Sequence, residues 1–212
     1  MEIKWYGHSC FRLKDKSGIA FTDPFPLLGA GYNRPKSKAD IVTISHDHPN
    51  HASLEGFTTE PFVITRPGEY EVSSIFVTSI RTYHDNKKGQ ERGYNNVMLF
   101  QFDDVSVCHL GDLGHVLSQE EVEKLSEVDV LLVPVGGGNT LNAAQAAEII
   151  SLVEPHIVIP MHYQTEVYPG EMDPVEKFLK EMGSSTTNTL DELKITRSSL
   201  PEETQVVLLN YN

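Results

Sequence analysis

Three histidines, His46, His48 and His51, fall within the six residues HDHPNH, directly after the apolar run IVTIS. Imidazole nitrogens are ready ligands for divalent metal ions. Residues at i and i+2 of an extended segment point to the same side, so His46 and His48 are expected to present two rings to one ion. His51, beyond Pro49, is expected to turn back from the next element toward a neighbouring position. A solvated, His-rich loop would look the same locally, and the rest of the chain separates the two readings. His84 ends SIFVTSIRTYH, Asp112 ends VSVCHLGD and His162 ends HIVIPMH, each just past the C-terminal end of a predicted strand. If those ends meet on one edge, separate segments deliver nitrogen and carboxylate ligands to a single cleft.

The elements that must position these residues are legible in the pattern of apolar residues. EIKWYG, CFRLK, GIAFTDP, IVTIS, FVIT and SIFVTSIRTYH read as strands ended by turn residues. VMLFQFD and VSVCHLGD read as a hairpin around Asp103 and Asp104. In the second half, SQEEVEKLSEV reads as a helix with Ser118 as N-cap and Glu121 at the capping-box position. The apolar strand DVLLVPV follows, then a helix in TLNAAQAAEIISLVEP, a buried strand in HIVIPMH and a helix in DPVEKFLKEM with Pro174 in its first turn. Sheets covered by helices are the architecture this order implies. Pro26 to Lys38 and Asp85 to Asn96 are the long loops, of a length that is often functional.

The chain has 212 residues, enough for a substantial core, and the whole of 1–212 reads as a single domain. Its formal charge of −13 repels phosphate backbones and anionic membranes, which argues against nucleic acid and membrane as partners. A small anionic substrate stays open, because a local metal ion outweighs a distant field. No apolar run has the length of a signal peptide or a bilayer span, so a cytoplasmic location is expected. Cys10 and Cys108 lie in strand-like patterns and read as reduced core residues. Oligomeric state is left open.

The histidines and Asp112 resemble the signature of the metallo-β-lactamase superfamily, H-x-H-x-D-H followed by a His, an Asp and a final His. GHSCFRL, FTDP, HLGDLGH, LLVPVGGG and VIPMHY are similar to the metal-dependent hydrolases that include ascorbate-6-phosphate lactonase. The resemblance implies an α+β fold, a four-layer αββα sandwich with metals at one edge of two sheets. It also implies Zn2+ or Mn2+, one or two ions. His46, His48 and His84 would hold the first, His51 and His162 the second, and Asp112 would bridge them. Asn50 stands where the signature has Asp, so a charged ligand is weakened or lost there. Asp47 lies between two ligand histidines and is expected to point away from them.

These features imply a hydrolase in which a metal-activated water attacks a small ester, lactone or phosphodiester, with Asp112 also acting as bridge, base or water-orienting acceptor. His8 and Tyr163 are the candidates for proton donation to the leaving group. The amides of Gly136 to Gly138, with Asn139 and Thr140, could bind an anion at a helix N-terminus or simply form a tight turn; Gly137, Gly138 and Asn139 are the substrate-binding candidates. Arg81 or Arg92 would support a phosphorylated substrate. His109 is expected to support the ligands, His115 to open a turn and His156 to be structural. A catalytically degenerate metal-binding scaffold and a mononuclear iron redox enzyme are the alternatives. The flavin-linked di-iron branch is disfavoured because it has carboxylates where His48 and Asn50 stand.

Overall fold

The computed structural model describes residues 1–29, 31–184 and 189–211. Ala30, within the expected loop from Pro26 to Lys38, lies outside these described residues. Among them, two large sheets form. The six-stranded sheet runs in the order Leu193–Lys194, Glu2–Gly7, Cys10–Lys14, Ile19–Thr22, Ile41–Thr43, Phe62–Ile64. The seven-stranded sheet runs Gln205–Val206, Ile157–Met161, Val130–Pro134, Ser106–His109, Tyr94–Gln101, Ile75–Tyr83, Gly68–Val72. This is the α+β sandwich that the pattern implied.

Strand direction decides where the chemistry-bearing residues go. In the first sheet, Ile19–Thr22 and Ile41–Thr43 are parallel. Glu2–Gly7 shares their direction, because two antiparallel pairings separate it from Ile19–Thr22. In the second sheet, Ser106–His109, Val130–Pro134 and Ile157–Met161 are parallel, and Ile75–Tyr83 regains that direction through two antiparallel pairings. The residues just past the C-terminal ends of these strands therefore collect at one edge of each sheet. A seam of bonds closes the edges on each other. The Asn96 amide donates to the Ser45 carbonyl at 2.8 Å, and the His162 amide donates to the His8 carbonyl at 3.2 Å.

Alternation along the strands sorts the first sheet's side chains into two cores. Trp5, Phe11, Ala20 and Ile41 join the main core with the second sheet. Tyr6, Cys10, Phe21 and Val42 form a second cluster with Phe25 and Tyr32, beneath the segment that follows Thr22. Arg34 is buried over that cluster, donating to the carbonyls of Phe25 and Glu55 and stacking on Phe57. Val130–Pro134 and Ile157–Met161 are buried along their whole length, as expected of central parallel strands under helices. Each such Val, Leu or Ile contributes about 1.5–3 kcal/mol by leaving water. Both cysteines are buried and free.

Helices Gln119–Glu123, Ala143–Val153 and Val175–Glu181 occupy the expected segments. The first is shorter than SQEEVEKLSEV suggested. Its capping box of Ser118 and Glu121 forms, but the Leu125 amide bonds back three residues to Val122, and Ser126 takes φ 51°. The left-handed residue ends the helix and lets Leu125 and Val128 enter the core. Pro174 is the N-cap of the third helix. The expected loop from Asp85 to Asn96 is shorter, because the strand Tyr94–Gln101 begins within it, and Gly68–Val72 is an edge strand with no clear sequence signal. None of the described helices is long and apolar enough to cross a membrane.

Helix Ala143–Val153 is held at its start by a reciprocal bond pair between Asn142 and Gln145. Replacing Asn142 with Ala is expected to cost about 1 kcal/mol, about 2–4 °C in Tm for a chain of this size. Thermal unfolding of the metal-free protein checks this, and an unchanged Tm would show that the cap contributes nothing.

Candidate metal centre and active-site cleft

One oxygen of Asp112 is the hub of the site. Its Oδ2 lies 3.8 Å from His46 Nε2, 3.5 Å from His51 Nε2, 3.6 Å from His84 Nε2 and 3.3 Å from His162 Nε2. Two ligands each about 2.1 Å from a tetrahedral ion stand about 3.4 Å apart, so these spacings suit shared coordination. Three triads of candidate donors lie within 4.8 Å of one another: His46 with His84 and Asp112, His46 with His48 and His51, and His8 with His51 and His162. Nδ1 of His8 is buried with no protein partner. Buried polar groups normally find a partner, and imidazole nitrogens gathered about one carboxylate are a donor set that fits a divalent metal.

Positioning begins with a carboxylate that sequence reasoning missed. Asp23 accepts from the Ser45 amide at 2.7 Å, from Ser45 Oγ at 2.5 Å and from His51 Nδ1 at 3.0 Å. His51 thereby turns Nε2 toward Asp112. Ser45 Oγ, its proton given to Asp23, accepts from His46 Nδ1 at 3.0 Å, which aims His46 Nε2 the same way. A carboxylate behind a ligand histidine fixes its tautomer and raises its basicity. Burial opposes ionising Asp23, but the His51 hydrogen bond and nearby histidines hold its pKa below the usual carboxylate value. The signal was available: Asp23 follows the strand Ile19–Thr22 just as Asp112 and His162 follow theirs.

Asp112 has its own supports. Ser9 Oγ donates to Oδ1 at 3.3 Å, and the Asp112 amide donates to Asn95 Oδ1 at 3.0 Å. Asn95 is fixed in turn by donating to Thr82 Oγ1 and the Leu110 carbonyl. His109 lies beneath, its Nε2 donating to the Ser9 carbonyl at 2.9 Å and its Nδ1 accepting from the Gly111 amide. A side chain at Gly111 would meet Asn95 Oδ1 at 2.4 Å, and φ there is +59°, so glycine is required for the approach. Burial raises the Asp112 pKa, but His162 and His51 overcome it and hold the carboxyl ionised, well below its ordinary range. For His51, burial opposes protonation while Asp112 and Asp23 favour it, and the pKa is raised.

The expected reason for the convergence of His46 and His48 needs correction. The strand ends at Thr43, and HDHPNH is a tight turn in which the His48 amide bonds the His46 carbonyl and the His51 amide bonds the His48 carbonyl. Turn geometry, not strand alternation, brings the rings together. His48 is exposed at the rim, and Asn50 lines the cleft beside it. Asp47 lies in an adjoining depression.

A cleft of about 360 Å³ opens over the histidines. Gly137, Gly138 and Asn139 line it, as do Arg92, Tyr168 and Glu171. The Gly136 and Gly137 amides donate to the carbonyls of His162 and Leu141, so of the two readings of the glycine run these two amides serve the tight turn. Arg81 stacks on Tyr94 outside this cleft. Tyr163 is a second correction. Its ring packs into the core against Trp5 at 5.3 Å, and Tyr168 is the phenol that faces the cleft. His8 does line the cleft, but burial, then His162 and His51, hold its pKa well below 6.5, which suits a lone-pair donor better than an acid. His115 Nε2 accepts from the Tyr83 amide and His156 bonds the Pro201 carbonyl, both away from the cleft.

Residues 2–162 match the model of the beta-lactamase superfamily domain. A UPF0173 protein of Pyrococcus furiosus is 31% identical over 205 residues, covering 86% of this chain and 90% of the relative. A UPF0173 metal-dependent hydrolase of Archaeoglobus fulgidus is 28% identical over 199 residues, covering 78% and 84%. The crystal structure of a Thermotoga maritima protein, proposed to be a Zn-dependent hydrolase of the metallo-β-lactamase superfamily, superposes with a TM-score of 0.82 at 36% identity, covering 98% of this chain and 97% of that one. The strand-end histidines around one aspartate thus sit on the metallo-β-lactamase fold. Within that superfamily, the chain belongs to the UPF0173 family of metal-dependent hydrolases.

Two outcomes follow from the support network. Asp23→Ala should weaken metal affinity by about 10- to 100-fold while the ligands remain; calorimetric titration measures it, and wild-type affinity would remove Asp23 from the network. His46 has its pKa depressed to about 4, by burial first and then by His51. The unfolded state therefore takes up this proton near 6.5 while the folded state resists until about 4, so stability from this group falls as pH drops through that window. The raised His51 acts in the opposite direction. In metal-free protein, His46→Gln should reduce the loss of Tm between pH 6.5 and 4, and an identical pH profile would contradict the assignment.

Proposed function

We propose that this chain hydrolyses a small ester, lactone or phosphodiester, with anionic substrates favoured. The observation that carries the reading is the placement of four histidine Nε2 atoms about Asp112 Oδ2 at the floor of an open cleft. Zn2+ or Mn2+ is the candidate ion; His46, His48 and His84 would hold one ion and His51 and His162 a second, with Asp112 available as a further ligand. When bound, such an ion polarises the attacked oxygen and lowers the pKa of a water to near neutrality.

The chain's own residues supply the rest. Asp112, held by Ser9 and the Asn95-bonded backbone, stays ionised and, with a single ion bound, would orient the attacking water as a hydrogen-bond acceptor. Arg92 brings a cation to the cleft wall, where it matches a phosphate or carboxylate on the substrate. Gly138 and Asn139 form the adjoining wall, and Tyr168 takes the place of Tyr163 as the candidate for delivering a proton to the leaving group. The resemblance to ascorbate-6-phosphate lactonase supports testing a phosphorylated lactone in this class.

The test is a panel of phosphorylated and neutral esters, lactones and phosphodiesters, assayed before and after chelation. Chelation should abolish turnover and added Zn2+ or Mn2+ should restore it. Asp112→Asn should lower kcat by 100-fold or more, about 2.7 kcal/mol of barrier. Arg92→Ala should raise KM about tenfold for an anionic substrate, about 1.4 kcal/mol, with no change for a neutral one. Chelator-resistant turnover would refute the metal-dependent reading, and equal effects of Arg92→Ala on both substrates would refute the anionic preference.

A further inference from the structure

The second half of the metal centre lacks a charge where Asn50 stands, and the fold brings another ligand to the gap. His8 follows the strand Glu2–Gly7 at the same edge as the ligand-bearing ends. It takes φ +53°, and His162 takes φ +50°, a conformation uncommon outside glycine. Strain of this kind persists where surrounding structure imposes it, and it clusters at functional sites. Here the imposing contacts are visible. The His8 carbonyl accepts from Trp5 Nε1 at 3.0 Å and from the His162 amide at 3.2 Å, which locks the two turns together. The His8 ring centroid then lies 4.3 Å from that of His162 and 4.8 Å from that of His51.

His8 is 4% exposed, and its Nδ1 is buried with no protein partner. Leaving such a group unpaired is costly, so a side chain held there by strained backbone calls for a ligand to satisfy it. We propose that His8 is a metal ligand, completing with His51, His162 and the shared Asp112 a nitrogen-rich second site that replaces the carboxylate missing at Asn50. This deepens the metal-dependent reading above and rests on it. It also assigns His8 a different task from proton donation. A site of three imidazoles and one shared carboxylate favours Zn2+ or Co2+ over Mn2+, since oxygen-rich sites suit Mn2+ and nitrogen donors follow the affinity order toward zinc.

Metal stoichiometry and stepwise affinity, measured by calorimetry and elemental analysis with Zn2+ and with Mn2+, test the assignment without reference to turnover. Wild type should bind two Zn2+ per chain. His8→Ala should keep the first ion and lose at least tenfold in affinity for the second. His8→Ala combined with Asn50→Asp should regain the second ion, with its preference shifted toward Mn2+. Two ions bound to His8→Ala with unchanged affinity would overturn the role of His8 and leave the metal-dependent reading intact. A single ion in wild type at saturation would overturn the second site, and no ion in wild type would overturn both readings. If His8→Ala loses both ions, recovery in the double variant supports the proposal and failure to recover refutes it.

Discussion

A buried, ionised aspartate surrounded by imidazoles organises this molecule. Removing a carboxylate from water is costly unless it is paired and hydrogen-bonded, and Asp112 is surrounded on one oxygen by His46, His51, His84 and His162 and bonded on the other by Ser9. Those groups come from five separate segments of the chain, around residues 9, 46–51, 84, 112 and 162. The site therefore exists only when both sheets have formed and met, so folding and site assembly are one event.

Two features make the meeting possible. Parallel and twice-reversed strands direct their C-terminal ends to one edge, and the residues after those ends take conformations that aim side chains inward. His8, Asp23 and His162 all have positive φ, which costs energy in non-glycine residues; the seam bond between the sheets holds His8 and His162, and bonds to Thr43 and Ser45 hold Asp23. Close approach supplies the rest. A side chain at Gly136 would meet the His162 carbonyl at 2.2 Å, so the glycine turn acts in packing, and its first two amides serve that packing.

Two carboxylates support the histidine cluster, Asp112 among the rings and Asp23 behind them. Asp23 acts at one remove, setting His51 directly and His46 through Ser45. Asn50 and His8 line the same cleft, with the His8 ring against His51 and His162, and Arg92 lines the cleft wall.

Much of this was legible in the residues themselves. HDHPNH and the strand-ending His84, Asp112 and His162 announced a metal-binding edge, because ligand chemistry restricts residue type and strand ends restrict position. The buried parallel strands and the helix in TLNAAQAAEIISLVEP were equally plain, since apolar runs and their spacing are local signals, while its Asn142 cap emerged from the structure. Asp23 was passed over although it obeyed the same strand-end rule, and Tyr163 was misplaced because adjacency to His162 in sequence says nothing about which way a ring packs. The convergence of His46 and His48 came from a tight turn that alternation could not foresee. The sequence by itself determined the candidate donors, the sheets covered by helices and the presence of Asn50 where the resembled signature has Asp. Only the tertiary structure decided which nitrogens face Asp112 and that the His8 ring lies against His51 and His162, because those facts depend on hydrogen bonds between residues as far apart as Ser9 and Asp112, or His8 and His162, which no local pattern encodes.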